Sequence, residues 1–350
     1  MRVLLASANF EPHVGGIERF TAILARGLAA RGHEVRVVCC RYDGAATLEA
    51  IDGYEIERLP ATYVAERRLG VPYPLPFRRP AAWPADVVHV QDVVYATSLL
   101  LLTRAHRRGI PCVLTQHVDF VPQANVALDL AQRVALATVG NASRLATVVT
   151  SYNQAVAAWA TSTWGLRDVR VLPVGVSGPA EGEIADRTEF GLQPGRFVAL
   201  FVGRDVPKKG LDVFLGAADP AYELLALTDR PGVGPGFMEP ARLQRLLHCV
   251  DAFVLPSEAE GFPLSLQEAL RAGVPIVTTR QPGYEQYLGE DDALFVERDS
   301  ASVAAALRRL AADDSLRRHL AARSREVGEA NFGIEPFVDA YESLYEELTR

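Results

Sequence analysis

Short runs of valine, leucine and isoleucine alternate with amphipathic stretches along the whole of this 350-residue chain, and that alternation constrains its fold most. Runs of this length are strands, and strands separated by helices pair in parallel, with helices covering both sheet faces. Arg2 to Ala6 is the first run and Asn9 to Gly16 the loop after it. Ile17 to Arg31 then carries Ile17, Phe20, Ile23, Leu24 and Leu28 at the helical period. Gly32 stops that helix and Val35 to Cys39 returns as a second strand, which completes a β-α-β unit. Gly15 and Gly16 occupy its first turn, where paired glycines let backbone amides approach a phosphate. The third glycine of the dinucleotide fingerprint is absent, so NAD is not indicated.

Further strands read at Ile51 to Leu59, Val87 to Val90, Cys112 to Thr115, Thr147 to Thr150 and Val169 to Leu172, with helices at Val94 to Arg108, Ala124 to Thr138 and Tyr152 to Thr161. Tyr63 to Pro84, rich in proline, aromatics and the arginines Arg67, Arg68, Arg78 and Arg79, reads as an irregular loop. His117 stands just past a buried strand, at the kind of strand end where doubly wound sheets hold ligands. His89 to Asp92 form a similar polar strand end.

Ser177 to Gly195 has linker composition, and the pattern restarts with the strand Phe197 to Val202. The sequence GRDVPKKG follows it. Arg204 and Lys209 flank that turn, and a fork-shaped cation beside a point-charge cation suits a diphosphate. Tyr222 to Thr228 is a strand, Gly232, Gly234 and Gly236 belong to a loop, and Pro240 to Cys249 is helical. After the apolar Phe253 to Leu255, Pro256 to Gly261 has turn composition. Pro263 suits the first turn of a helix that Gly273 and Pro275 end. Glu260 is therefore on a loop and Glu268 on the second helical turn, positions from which both can line the crevice at the strand's carboxyl end, the alternative being an acidic loop before an amphipathic helix. The amides of Leu264 and Ser265 add the positive end of the helix dipole there. Gln281 to Leu288 is a loop, Ala293 to Val296 a strand, Ala301 to Val327 helical, and Ile334 to Leu348 amphipathic with Phe337, Tyr341 and Tyr345.

With 36 basic against 43 acidic residues the chain lacks the overall charge of a nucleic-acid binder. Cys39, Cys40, Cys112 and Cys249 lie in apolar stretches without metal-ligand spacing and read as buried thiols, as in a reducing cytoplasm. The amino-terminal apolar run reads as a strand rather than a signal peptide. The longest apolar run, Val93 to Leu102, falls short of the roughly 20 residues that cross a bilayer. These features set the expectation of a cytoplasmic protein, with room for contact at the inner face of a membrane through the arginine-rich loop.

The motifs GRDVPKKG and EAEGFPLSLQEALRAGVPIV, with FEPHVGGIERF near the start, together resemble the retaining family 4 glycosyltransferases of GT-B fold. The likeness extends over nearly the whole chain. It implies an α/β protein of two Rossmann-like domains with parallel sheets facing a central cleft, and a last helix crossing back to the first domain. The expected domains are 1–176 with 334–350, on the acceptor side, and 177–333, which binds the nucleotide-sugar. The resemblance implies a nucleotide-diphosphate sugar as donor, no metal or other cofactor, and a glycan, lipid-linked or small-molecule acceptor. By resemblance Arg204 and Lys209 bind the donor diphosphate, Glu260 the transferred sugar and Glu268 the ribose, while His117 lies near the sugar. Gly15 and Gly16 close over the phosphates, and Phe262, Pro263, Leu264 and Ser265 form the donor-facing start of the helix. The chain departs from the family pattern at Thr228, Asp229 and Arg230, where a glycine turn is usual, at Val174 and Ser177, and at Pro263. Two other readings stand beside transfer: a sugar-nucleotide epimerase of the same fold, and a non-catalytic nucleotide-sugar-binding partner subunit.

Overall fold

The computed structural model describes the chain except residues 14, 43, 65–72, 119–125, 179–185 and 259. Arg67 and Arg68, and the first two residues of the expected helix Ala124 to Thr138, lie outside the described residues. The chain forms two compact units, Met1–Gly175 with Ile334–Arg350, and Val176–Gly333.

The first unit runs β1 (Arg2–Ala6), α1 (Gly16–Ala30), β2 (Glu34–Cys40), β3 (Leu48–Ile51), β4 (Tyr54–Leu59), β5 (Ala61–Val64), β6 (Tyr73–Pro76), β7 (Val87–Gln91), α2 (Ala96–Arg108), β8 (Cys112–Thr115), α3 (Val126–Val139), β9 (Val148–Ser151), α4 (Gln154–Trp164) and β10 (Val169–Val171). Its main sheet has the order β10-β9-β8-β7-β1-β2-β4-β3, parallel except where β3 meets β4. The order reverses at β1, so the carboxyl ends of β1 and β7 flank a crevice of the ligand-binding kind.

Three segments differ from expectation. Ile51 to Leu59 is not one strand but part of a hairpin, turned at Asp52 and Gly53 with φ of 49° and 83°. The Asp-Gly pair is the sequence signal for such a turn. Tyr63 to Pro84 is not wholly irregular, since β5 and β6 pair antiparallel as a separate ribbon. Its prolines fit because a two-stranded ribbon has open edges that need no amide donor.

The second unit runs β11 (Val198–Val202), α5 (Leu211–Leu215), β12 (Glu223–Leu227), α6 (Pro240–Leu247), β13 (Ala252–Leu255), α7 (Leu264–Arg271), β14 (Ile276–Thr278), β15 (Ala293–Phe295), α8 (Ser300–Ala312) and α9 (Asp314–Asn331). Its sheet is parallel in the order β12-β11-β13-β14-β15. Ala301 to Val327, the third of these segments, is two helices rather than one. Asp313 breaks the run by accepting the Leu316 amide at 2.9 Å, a capping bond that fixes extended backbone. Between β12 and α6 the loop folds against the strand: a Cβ on Gly234, at φ +65°, would meet the Ala226 carbonyl oxygen at 1.9 Å.

The last helix, α10 (Ile334–Thr349), belongs to the first unit. Phe337, Tyr341 and Tyr345 are fully buried, and the Arg31 guanidinium pairs with Glu335, Asp339 and Glu342 at 2.6–2.7 Å. Below that helix the His89 ring bonds the Tyr345 hydroxyl and Thr115 Oγ1, each at 2.6 Å. Burial, then the neighbouring His117, pushes the His89 pKa down to about 3, which keeps the ring neutral. Cys39, Cys40, Cys112 and Cys249 are buried free thiols. Among the described residues no helix is long and apolar enough to cross a membrane.

Candidate active site

Strands β11 and β13 are hydrogen-bonded neighbours, so the segments after them emerge side by side at the switch point of the second sheet. After β11 the chain makes a tight turn, Pro207–Lys209, ended by Gly210 at φ +74°. After β13 it makes the loop that carries Glu260. The two meet closely: the Glu258 amide donates to the Lys208 carbonyl at 2.7 Å, and Lys209 Nζ lies 2.8 Å from Glu260 Oε1. Both charged side chains are largely shielded, at 15% and 9% exposure, which strengthens their attraction over that of a surface pair. Gly203 leaves room chiefly for the Phe201 ring, which a Cβ there would approach to 3.1 Å, and that Cβ would lie in ordinary contact range of Lys209 Cδ.

Arg204 is half-buried beside that turn, and among the described residues no carboxylate lies within ion-pair distance of it. The turn is also held from the β12 side. Asp229 Oδ1 accepts the Asp205 amide at 2.6 Å, and Arg230 bonds both oxygens of Asp205 and reaches Asp212 at 2.6 Å. The residues that depart from the glycine turn thus build a clasp on the turn holding Arg204.

Pro263 precedes α7 as its cap, with extended backbone at φ −61° and ψ 140°, rather than lying in its first turn. Its φ is fixed by the ring whereas ψ is free to leave the helical region, so the helix starts at Leu264. The first amide bonds back to the Pro263 carbonyl come from Leu266 and Gln267, the pattern that leaves the Leu264 and Ser265 amides at the helix start. The Ser265 hydroxyl donates to the Val202 carbonyl at 3.3 Å. Glu268 is buried on α7, with Gln244 Nε2 of α6 3.4 Å from its Oε1. The Phe262 ring packs among Tyr284, Tyr287 and Phe332, with centroids 4.7–5.2 Å away. Its side chain is therefore core rather than donor-facing, and its carbonyl accepts from Gln267 Nε2 at 2.9 Å.

In the first unit, His117 follows β8 and is 5% exposed. Its Nε2 is 2.7 Å from Gln91 Oε1, and its amide donates to Asp92 Oδ1 at 2.7 Å. Burial pushes its pKa down to about 3, so the imidazole is neutral. Asp92, at φ +47° and 2% exposed, has its carboxyl pushed up to about 7 by burial, against the His117 amide bond and helped by the charge of Glu18.

The Glu18 side chain folds back against the glycine that caps α1. Gly15 caps the helix, and a Cβ there would strike the Glu18 carboxylate, 2.1 Å from Oε2. That carboxylate also lies 3.0 Å from His13 Nδ1. The chain's own anion thus sits at the helix end where paired glycines suggested a phosphate, while the space around Gly16 is open. Glu18 stands three residues after the cap, the capping-box spacing, so the sequence contained that signal. Nothing in the sequence marked the left-handed backbone of Asp92. Among the described residues no group of three or more His, Cys, Asp or Glu side chains is placed to share a metal ion.

Residues 14–177 match the family model described as Glycosyltransferase Family 4, and residues 234–327 the one described as Glycosyl transferases group 1. A GDP-mannose-dependent alpha-mannosyltransferase of Mycolicibacterium smegmatis is 28% identical over 306 residues, 79% of this chain and 79% of its own length. Among solved structures, sucrose-phosphate synthase from Thermosynechococcus elongatus has a TM-score of 0.81 at 19% identity, covering 99% of this chain and 98% of that one. Anabaena HepE in complex with UDP has a TM-score of 0.75 at 17% identity, covering 99% and 100%. The chain belongs to the family 4 glycosyltransferases and has their GT-B fold.

Proposed function

We propose that the protein is a retaining, metal-independent glycosyltransferase that moves a sugar from a nucleotide-diphosphate sugar to an acceptor hydroxyl. The observation that carries this reading is the pairing of Lys209 with Glu260 at the β11–β13 switch point, beside Arg204 and the start of α7. When the bond from the anomeric carbon to the diphosphate breaks, its electron pair goes to the diphosphate. Arg204, Lys209 and the α7 amides stabilise that charge. The acceptor oxygen bonds the anomeric carbon on the same face, and its proton passes to the departing phosphate. Glu260 orients the sugar and holds the Lys209 ammonium, and Glu268 binds the ribose. His117, neutral, acts through hydrogen bonding. In this reading Gly15 caps α1 beside Glu18, and Gly16 supplies the open backbone.

The names of the relatives mention GDP-mannose and UDP, so the test is a panel of UDP, GDP and ADP sugars, scored first by thermal stabilisation and then by donor hydrolysis. Glycan, lipid-linked and small-molecule acceptors are then supplied with the donor that binds. Lys209→Ala slows turnover by about 10²-fold or more if the ammonium stabilises the leaving group. Near-normal turnover by that variant refutes the assignment. Product with inverted anomeric configuration refutes the retaining course.

A further inference from the structure

The carboxyl ends of β13, β14 and β15 and one face of α8 border an open cavity of about 790 Å³, whose lining includes Ser257, Glu258, Thr279, Gln281, Phe295 and Arg298. Arg298, just past β15, reaches two loops at once. Its Nη2 donates to the Pro207 carbonyl in the turn that carries Lys209, and its Nη1 lies 3.6 Å from Glu258 Oε2 in the loop that carries Glu260. That loop is anchored independently to the end of β14, where Thr279 Oγ1 and Gln281 Nε2 both donate to the Ser257 carbonyl. Arg298 therefore joins the lysine turn to the same frame that holds the glutamate loop.

We infer that Arg298 is a positioning residue for glycosyl transfer, fixing the lysine turn against the glutamate loop so that the Lys209 ammonium stays where the diphosphate develops charge. The inference rests on the role proposed for Lys209. A planar guanidinium suits the task, since its fork serves a carbonyl and a carboxylate together, whereas an ammonium is a single point of charge. Displacing a group by about 1 Å in such a site costs on the order of 10²-fold in rate.

The experiment compares Arg298→Ala, Arg298→Lys and Lys209→Ala with the unaltered chain for donor turnover and thermal midpoint. Arg298→Ala is expected to lose about tenfold to 10²-fold in kcat, with the donor KM changed by less than about threefold. Arg298→Lys recovers part of the loss. Because the cavity is open, millimolar guanidinium ion restores turnover to Arg298→Ala and does nothing for Lys209→Ala, a rescue that mere structural weakening would not give. Normal turnover by Arg298→Ala while Lys209→Ala is slow overturns the inference, as does a slow Arg298→Ala that guanidinium fails to restore. Normal turnover by Lys209→Ala instead sinks the reading of Lys209 itself.

Discussion

Gly210→Ala tests how tightly the two strand-end loops are fitted. Gly210 has φ +74°, and a Cβ there would lie 2.2 Å from the Pro256 carbonyl oxygen and 3.0 Å from its carbon. The left-handed backbone costs a non-glycine residue about 1–2 kcal/mol. The overlap is with backbone, which cannot swing aside as a side-chain tip would, and overpacking of this kind costs about 1–3 kcal/mol. Alanine also restricts the unfolded chain, which returns about 0.4–1 kcal/mol. The net loss is about 2–4 kcal/mol, roughly half of it from the contact. Gly191→Ala is the matched control, because Gly191 has φ +70° and a Cβ there would meet nothing within 4 Å. Urea unfolding of both variants separates backbone strain from overlap, and donor turnover under folding conditions shows whether Lys209 has moved. Equal losses of stability in the two variants would refute the close fit, and unimpaired turnover in Gly210→Ala would show that the lysine turn tolerates displacement.

The Asp92 carboxyl, raised to about 7 by burial, contributes stability below its unfolded pKa that is lost as pH rises through the folded one. Asp92→Asn keeps an acceptor for the His117 amide and removes that loss. It should therefore stabilise the protein by about 3–4 kcal/mol near pH 8, and by much less near pH 4, in denaturant titrations; an equal effect at both ends contradicts the burial of an ionisable group there. Packing of α10 on α1 is tested at Gly27, where a Cβ would lie 2.4 Å from Val338 Cγ2. Gly27→Ala gains about 0.8–1 kcal/mol of helix propensity but overpacks by about 1–3 kcal/mol. Combined with Val338→Ala it should give a double variant about 1 kcal/mol or more above the additive expectation, and strict additivity would rule the contact out.

The fold class was legible because strand and helix patterning are local. The apolar runs of β1, β7, β8, β11 and β13 are bounded by turn residues, and each lies next to a helix in sequence. The breaks that patterning did not resolve came from single residues whose backbone or capping preference outweighed it: Asp52 and Gly53 in the hairpin, and Asp313 between α8 and α9. For the site, the sequence marked the residue types, Arg204 and Lys209 after one strand and Glu260 and Glu268 after another. It did not show that Arg230 clasps the turn or that Phe262 faces the core.

The sequence by itself therefore determined the α/β alternation, the family motifs and the strand ends at which chemistry is placed, since each depends on neighbours a few residues away. Only the tertiary structure decided which of those ends adjoin. Lys209 meets Glu260 because β11 pairs with β13, and Arg298 reaches Pro207 because β15 belongs to the same sheet. Strand order is fixed by burial of whole faces and by hydrogen bonds between distant segments, which no local pattern encodes.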